Sequence, residues 1–195
     1  GYEVLETLDG GFLMVGQEQS IDGDIIDNHG LDDVYVVKTD MNGEIIWSRA
    51  YGGSDYDYGK AACLAHDGGY IIAGNSGSMD GNLTGNNGFK DLWVFKLDDL
   101  GDIVWQFNYG GSHNEGIKSI IPTSDGGYLG VGTSQSNDGG VIGHHGEYGA
   151  PDIWVVKFDL TGNMLWNKCF GSSEFDYVEG AIETQDGNYI FVGHS

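Results

Sequence analysis

The chain has 195 residues, of which 39% are apolar, and its thirty acidic and eight basic side chains give a formal net charge of −22. That charge repels nucleic-acid phosphates and anionic membrane surfaces, so we expect neither nucleic-acid binding nor membrane insertion. The apolar content is sufficient for a real hydrophobic core and excludes a disordered acidic tail.

The chain repeats itself from its first residues onward. The decapeptide TLDGGFLMVG at residues 7–16 returns as AHDGGYIIAG at 65–74, TSDGGYLGVG at 123–132 and TQDGNYIFVG at 184–193. Two further blocks recur with it, typified by DLWVFKLD at 91–98 and GDIVWQFNYGGS at 101–112. Self-similarity at a fixed period of this length is the signature of a repeat architecture.

Each repeat predicts four strands in chain order. In the second repeat, the first strand covers Ala61–Ala65 and ends at the Asp-Gly-Gly turn, and the second covers Tyr70–Ala73. A glycine-rich loop leads to the third strand, Leu92–Leu97, and a short turn leads to the fourth, Ile103–Tyr109. Aspartate and glycine supply the backbone contacts and the positive φ that tight hairpins need. Sustained helical spacing of apolar residues is missing, so we expect almost no helix.

The strand sequences favour one architecture. YIIAG and LWVFKL are nearly continuous apolar runs, which indicates sheets that are buried on both faces. Four-stranded antiparallel sheets of this kind are typical of stacked propeller blades. We therefore predict an all-β, β-propeller-type array that forms a single domain. Its blades are 1–53, 58–111 and 116–172, and the first two strands of a fourth blade occupy 177–195.

The number of blades leaves the array open. A closed propeller has about four blades or more. Three and a half blades would expose sheet edges and apolar faces, which promote association. We expect either that the chain is part of a longer array or that other copies complete it, with self-association through the open blade edges.

The repeated blocks also resemble a known group of sequences. Units such as DIWVVKFDLTGNMLW followed by the Asp-Gly-Gly hairpin are similar to the roughly 60-residue propeller-like repeats of secreted and cell-surface proteins from Bacteroidetes and related bacteria. The resemblance implies an extracellular or cell-surface location.

Two kinds of recurring side chain are expected to be structural. The tryptophans recur at fixed places inside strands, which predicts core packing rather than sugar stacking. Lys38, Lys96 and Lys157 recur late in the third strand. We expect each lysine to cover apolar surface with its stem or to pair with a nearby carboxylate.

The segments that join the repeats contain the candidate ligand-binding residues. They combine aromatic side chains with carboxylates, a combination that sugar sites use, although ordinary packing is an open alternative. The candidates are Tyr56, Asp57, Tyr58, Asp176 and Tyr177, together with Tyr148 in a three-residue insertion of the third repeat.

Two loops contain candidate metal ligands. The loop SIDGDIIDNHG offers Asp22, Asp24 and Asp27, with Asp33 just after it, and carboxylate oxygens of this kind suit calcium. The alternative is an aspartate-capped turn in an acidic protein. In the third repeat, His144 and His145 stand near Glu147 and could ligate zinc or copper, although adjacent histidines seldom converge on one ion.

The repetition itself bears on function. A catalytic site needs a few residue types that converge once, whereas nearly every distinctive residue here occurs three or four times. We therefore predict a non-catalytic extracellular module for surface display, adhesion or protein–protein contact. A lectin-like carbohydrate-binding propeller is the first alternative, and a fragment of a propeller enzyme with its active site outside this chain is the second.

Overall fold

A computed structural model describes residues 2–20, 28–83, 85–146 and 149–195 of the chain. These residues form fourteen strands and, within the same ranges, no helix. A search of the described residues accordingly yields no helix that could cross a membrane. The predicted all-β class is confirmed.

The strands form three four-stranded antiparallel sheets and a final hairpin, in chain order. The first sheet contains β1 (Glu3–Glu6), β2 (Phe12–Glu18), β3 (Asp33–Thr39) and β4 (Ile45–Tyr51). The second contains β5 (Asp57–Leu64), β6 (Tyr70–Ser76), β7 (Asp91–Leu97) and β8 (Ile103–Tyr109). The third contains β9 (Glu115–Pro122), β10 (Tyr128–Ser134), β11 (Asp152–Phe158) and β12 (Met164–Phe170). The hairpin consists of β13 (Tyr177–Glu183) and β14 (Tyr189–His194).

The Asp-Gly-Gly turns have the structure that the sequence predicts. In the third sheet, Gly126 adopts a φ of 88° and donates its N–H to the carbonyl of Thr123 over 3.0 Å. The hydroxyl of Thr123 lies 2.6 Å from Oδ1 of Asp125, and the N–H of Gly127 donates to the same oxygen over 3.0 Å. The turn is thus closed by its own side chains, and β9 returns directly as β10.

The first strand of the second repeat begins earlier than the sequence predicts. In the second sheet it starts at Asp57 rather than at Ala61, because Asp57 and Tyr58 pair with Ser76 and Asn75 of β6. A bulge after Gly59 shifts the register, which the alternation of apolar residues did not reveal. Residues assigned to a linker by the sequence therefore belong to the sheet.

The sheets pack on one another through both of their faces. Every residue of β7 is buried, as the continuous apolar run predicts. Trp93 and Trp154 lie in the clusters between successive sheets, where each is almost completely buried. Trp166 is an exception, because the two-stranded hairpin covers only part of the third sheet and leaves 41% of this side chain exposed.

The first strands of successive repeats lie next to one another. Strand β5 contacts β1 and β9, and β9 contacts β13. The first strands therefore line one side of the array, whereas β4, β8 and β12 form the opposite edges of their sheets. In the described ranges the sheets do not close into a ring, since no strand of the hairpin pairs with the first sheet.

Candidate functional site

A groove with a volume of about 500 Å³ runs along the first strands of the repeats. Its polar lining comes from all four repeats and includes Tyr2, Glu3, Lys60, Lys118 and Glu179. Ile117 is buried in the core and forms part of the groove lining, whereas its neighbour Lys118 is exposed, because successive side chains of a strand point in opposite directions. The groove is where the repeats bring different side chains together.

Three tyrosines and two lysines form a cluster at one end of this groove, which we name the tyrosine–lysine cluster: Tyr2, Tyr56, Tyr58, Lys60 and Lys90. The rings of Tyr56 and Tyr58 are stacked, with centroids 6.1 Å apart and planes at 23°. The ammonium of Lys60 lies 3.5 Å from the ring centroid of Tyr2 and 5.0 Å from that of Tyr58. The ammonium of Lys90 lies 4.5 Å from the Tyr58 centroid, so both lysines contact this ring.

A buried carboxylate lies below the cluster. Asp32 is only 2% exposed, and its Oδ1 has no hydrogen-bond donor among the described residues. Burial raises the pKa of Tyr58, and the charge of Asp32 with a hydrogen bond to it raises that pKa further. The phenol therefore stays protonated at neutral pH and can act as a donor.

Among the described residues, the lysines of the cluster differ from most of the other basic residues, although Lys168 likewise lies over an aromatic ring and has no carboxylate within 4.0 Å. Elsewhere in the described chain, five basic side chains have a carboxylate partner: Lys38, Arg49, Lys96, Lys118 and Lys157. Within the described ranges, Lys60 and Lys90 have tyrosine rings as their neighbours and no carboxylate within 4.0 Å. In an acidic protein, such lysines remain available to an anionic ligand.

Sequence reasoning identified Tyr56 and Tyr58 but missed Lys60 and Lys90. The signal was present, because only eight basic residues occur and three of them recur as equivalents in the third strands. The lysines that do not recur at this position, among them Lys60 and Lys90, were therefore the better candidates for ligand binding.

Two of the predicted ligand-binding carboxylates are buried. Asp57 is completely buried and receives hydrogen bonds from the hydroxyls of Ser76 and Ser78 and from the N–H of Gly53. Asp176 is 5% exposed and accepts the N–H of Ser172 over 2.7 Å. Neither reaches the surface, because both lie where one sheet joins the next.

Each of these junctions contains a buried pair of carboxylates. The pairs are Asp33 with Asp57, Asp91 with Glu115, and Asp152 with Asp176. In each pair, Oδ1 of the first residue has no donor in the described part of the chain. A Cβ added to Gly52 would meet Asp33 Oδ1 at 2.5 Å and Asp57 Oδ2 at 2.6 Å, so glycine is required there. Burial and the charge of Glu115 raise the pKa of Asp91 to about 6.

Tyr177 lies beside a second cavity of about 370 Å³, at the far end of the groove. Its side chain is 40% exposed, and its ring centroid lies 6.4 Å from that of Phe175 and 5.4 Å from the imidazole of His194. Tyr177 is thus on the surface, but it lies apart from the tyrosine–lysine cluster.

The predicted metal ligands are described only in part. Asp22, Asp24 and Asp27, and likewise Tyr148 and Glu147, lie outside the described residues. Asp33 is buried, and its Oδ2 accepts the backbone N–H of His29 over 2.7 Å and contacts the imidazole Nδ1 over 2.8 Å. Within the described ranges no group of three or more histidine, cysteine or acidic side chains could hold a metal ion.

The two histidines of the third loop have separate partners. His144 Nε2 lies 3.0 Å from the carbonyl of Ala150, whereas His145 Nδ1 lies 2.9 Å from Asp152 Oδ2. His145 therefore matches His29 of the first repeat, since each imidazole contacts the aspartate that begins the third strand. These contacts are those of a loop anchored to its sheet.

Both ends of the array expose apolar faces. We name Val4, Phe12, Met14 and Ile45 of the first sheet the head face, and Ile182, Ile190 and Val192 of the hairpin the tail face. Met14 is 39% exposed, whereas its equivalent in the second repeat, Ile72, is completely buried. Ile190 is 51% exposed, whereas its equivalent in the third repeat, Leu129, is completely buried. The end faces are therefore packing surfaces without a neighbouring sheet in the described structure.

Comparisons with known proteins add little about activity. No protein-family model matches the chain. The regulatory protein FlaEY of Caulobacter vibrioides is 27% identical over 175 residues, which covers 84% of this chain but only 18% of the length of FlaEY. A crystal structure of a protein of unknown function from Bacteroides caccae matches 85% of this chain and 65% of that chain, with 14% identity and a TM-score of 0.27.

Proposed function

We propose that the chain is a propeller-type repeat array that serves, outside the cell or at its surface, as a non-catalytic module for protein–protein contact. Its contact surfaces are the head face and the tail face, and the partner that we assign to them is a sheet of the same repeat type, which another copy of the chain can supply. The main support for this proposal is that apolar residues of the head and tail faces are exposed, whereas their equivalents in the inner repeats are buried.

The exposed faces provide a driving force for association. Burying an aliphatic or aromatic side chain of this size is worth about 1.5–3 kcal/mol. Contiguous apolar surface on a folded protein is typical of interaction sites. On the head face, Val4, Phe12 and Met14 belong to neighbouring strands, so together they form one surface.

The inner packing of the array supports one geometry of association. Between the first two sheets, Leu13 and Val15 pack on Tyr70 and Ile72. On the tail face, Ile190 and Val192 occupy the repeat positions of Leu13 and Val15. On the head face, Phe12 and Met14 occupy the repeat positions of Tyr70 and Ile72. A tail face therefore fits a head face better than it fits another tail face. Such a heterologous contact closes into a ring or continues as a filament.

Two features favour a role without catalysis and outside the cell. The buried carboxylates and lysines recur once per repeat and have hydrogen-bond partners within their own or the adjacent sheet, as scaffold groups do. The net charge of −22 suits solubility in saline surroundings, and the resemblance to repeats of secreted proteins agrees with that location.

Light scattering coupled to gel filtration tests the proposal. We expect the chain to associate with increasing concentration, and Met14→Glu or Val192→Glu to shift it towards the monomer, since each places a charge in the contact. Val104→Glu is the matched control, because Val104 is exposed, as are its equivalents Ile46 and Leu165 in the other sheets. A chain that stays monomeric at all concentrations would refute self-contact.

Mixing the two variants tests the geometry. Met14→Glu keeps a functional tail face, and Val192→Glu keeps a functional head face. If the contact joins head to tail, the mixture forms a heterodimer although neither variant associates alone. If identical faces met each other, mixing would restore nothing, and the proposed geometry would be wrong.

A further inference from the structure

We propose that the tyrosine–lysine cluster binds an acidic sugar, that is, a pyranose ring with a carboxylate, such as a hexuronate. Two residues of this site, Tyr2 and Lys60, line the groove, and the site is separate from the head and tail faces. It therefore does not depend on the protein–protein contact described above, and its test can fail without affecting that contact.

The exposed tyrosine rings supply the surface for the sugar ring. Tyr2 is 52% exposed and Tyr56 is 38% exposed, so both offer aromatic area to a ligand. The ring of Tyr58 lies beside that of Tyr56 at a small angle of 23°, which gives an extended and nearly flat surface. Amphipathic tyrosine rings pack against the C–H face of a pyranose and keep their hydroxyls free for hydrogen bonds.

The two lysines supply the preference for an anion. Lys60 and Lys90 both contact the ring of Tyr58, and neither has a carboxylate within 4.0 Å in the described residues. A ligand carboxylate that reaches these ammonium groups forms charge-assisted hydrogen bonds, which are about twice as strong as neutral ones. In a chain with thirty acidic residues, two lysines that contact one ring and have no carboxylate partner among the described residues attract an anion.

Neighbouring groups favour a sugar over an acidic peptide. Glu3 and Glu179 line the same groove, and their carboxylates accept hydrogen bonds but cannot donate them. A sugar provides several hydroxyl donors for these acceptors, whereas the carboxylate side chains of an acidic peptide offer them no donor. The hydroxyl of Tyr58 donates its proton in a hydrogen bond to Asp32, and its oxygen can accept a hydrogen bond from a sugar hydroxyl. A groove volume of about 500 Å³ suits a short oligosaccharide.

Isothermal titration with a short oligogalacturonate tests the proposal, and the neutral oligomer of galactose is the comparison ligand. We expect the acidic oligomer to bind and its affinity to fall with added salt, because exposed charges are screened. Lys60→Gln and Lys90→Gln should each weaken binding about tenfold, which corresponds to about 1.4 kcal/mol. Tyr56→Ala should weaken the binding of both oligomers by removing the stacking surface.

Lys168→Gln is the matched control, because Lys168 also lies over an aromatic ring, that of Phe170 at 4.9 Å, but on the opposite edge strand β12. It should bind the acidic oligomer as the unmodified chain does. Thermal unfolding of each variant shows whether the fold is intact. The proposal is overturned if the acidic oligomer does not bind, if the two oligomers bind equally, or if a short polyglutamate competes equally well, which would assign the site to acidic peptides.

Discussion

The hydroxyl of Tyr109 donates a hydrogen bond to the carbonyl oxygen of Gly162, 2.9 Å away in the next sheet. The same hydroxyl oxygen accepts the N–H of Met164 over 3.2 Å. Tyr51 repeats the contact one sheet earlier, where its hydroxyl lies 2.6 Å from the carbonyl of Gly101. The tyrosine that ends the fourth strand therefore fastens its own sheet to the turn of the following one.

Replacing Tyr109 with phenylalanine should lower the free energy of unfolding by about 0.5–1.5 kcal/mol, because it removes the hydrogen bond and keeps the ring. Urea denaturation measures the change, and the slope of the transition should stay the same. Tyr177→Phe, which alters a more exposed hydroxyl, should leave stability unchanged. Equal losses in both variants would show that the contact between the sheets has no special role.

The local structure of each repeat could be predicted from its sequence because it depends on neighbours in the chain. The hairpins follow from aspartate and glycine in fixed positions, and the lysine at the end of each third strand does pair with a nearby carboxylate. Lys38 lies 2.8 Å from Asp9, and Lys157 lies 3.0 Å from Asp125. These residues are close because adjacent strands of one hairpin bring them together.

The site could be predicted only in part because its contacts join residues that are far apart in the chain. Nothing in the sequence indicates that Lys90 reaches the ring of Tyr58. Nor does it indicate that Asp57 turns inward to Ser78 while Tyr58 lies against the two lysines. Successive side chains of a strand point to opposite faces of the sheet. A predicted first strand that included Asp57 and Tyr58 would therefore have placed their side chains on opposite faces. The position of the strand start, rather than the fold class, was the missing information.

Asp125 should matter more for stability than its partner Lys157. The side chain of Asp125 is 56% exposed and that of Lys157 is 3% exposed, so water can solvate the carboxylate but not the ammonium. Asp125→Ala leaves a buried charge without its anion, which costs about 1–3 kcal/mol, whereas Lys157→Met leaves an exposed carboxylate and costs less. Thermal unfolding of both variants measures the order, and a larger loss for Lys157→Met would contradict it.

The pair also predicts behaviour in acid. Hydrogen bonds from Thr123 and Lys157 lower the pKa of Asp125 to about 2. Because this pKa lies below that of the unfolded chain, the contribution of the pair is complete above about pH 4 and is lost as pH falls through about 2. Unfolding curves recorded across that range should show a larger loss of stability in the unmodified chain than in Asp125→Ala, in which equivalent pairs such as Lys38 with Asp9 still titrate.

Two turn glycines with the same backbone conformation should respond differently to alanine. Gly126 has a φ of 88° and Gly162 a φ of 86°, so alanine is strained at both and costs about 1–2 kcal/mol. A Cβ on Gly126 meets nothing within 4 Å, whereas one on Gly162 would lie 2.5 Å from Cζ3 of Trp105. Overpacking adds about 1–3 kcal/mol for Gly162→Ala, and equal costs in urea denaturation would show that Trp105 moves away freely.

Asp91 predicts a second pH effect, with the opposite sign. Its pKa is raised to about 6 in the folded chain by burial and by the nearby Glu115, above the ordinary value of 3.8. The folded chain therefore holds this proton more tightly than the unfolded chain does. The stability that comes from it is complete below about pH 4 and is lost as pH rises through about 6.

Asp91→Asn removes this titration, because an amide stays neutral in both states. Relative to the unmodified chain, the variant should gain about 1–3 kcal/mol of stability between pH 4 and pH 7. The N–H of Asn87, which donates to Oδ2 of Asp91 over 2.7 Å, can still donate to the amide oxygen at position 91. Asp98→Asn is the control, since Asp98 lies in a surface turn. A stability difference between the two chains that is independent of pH would mean that folding does not raise the pKa of Asp91, and it would contradict the prediction.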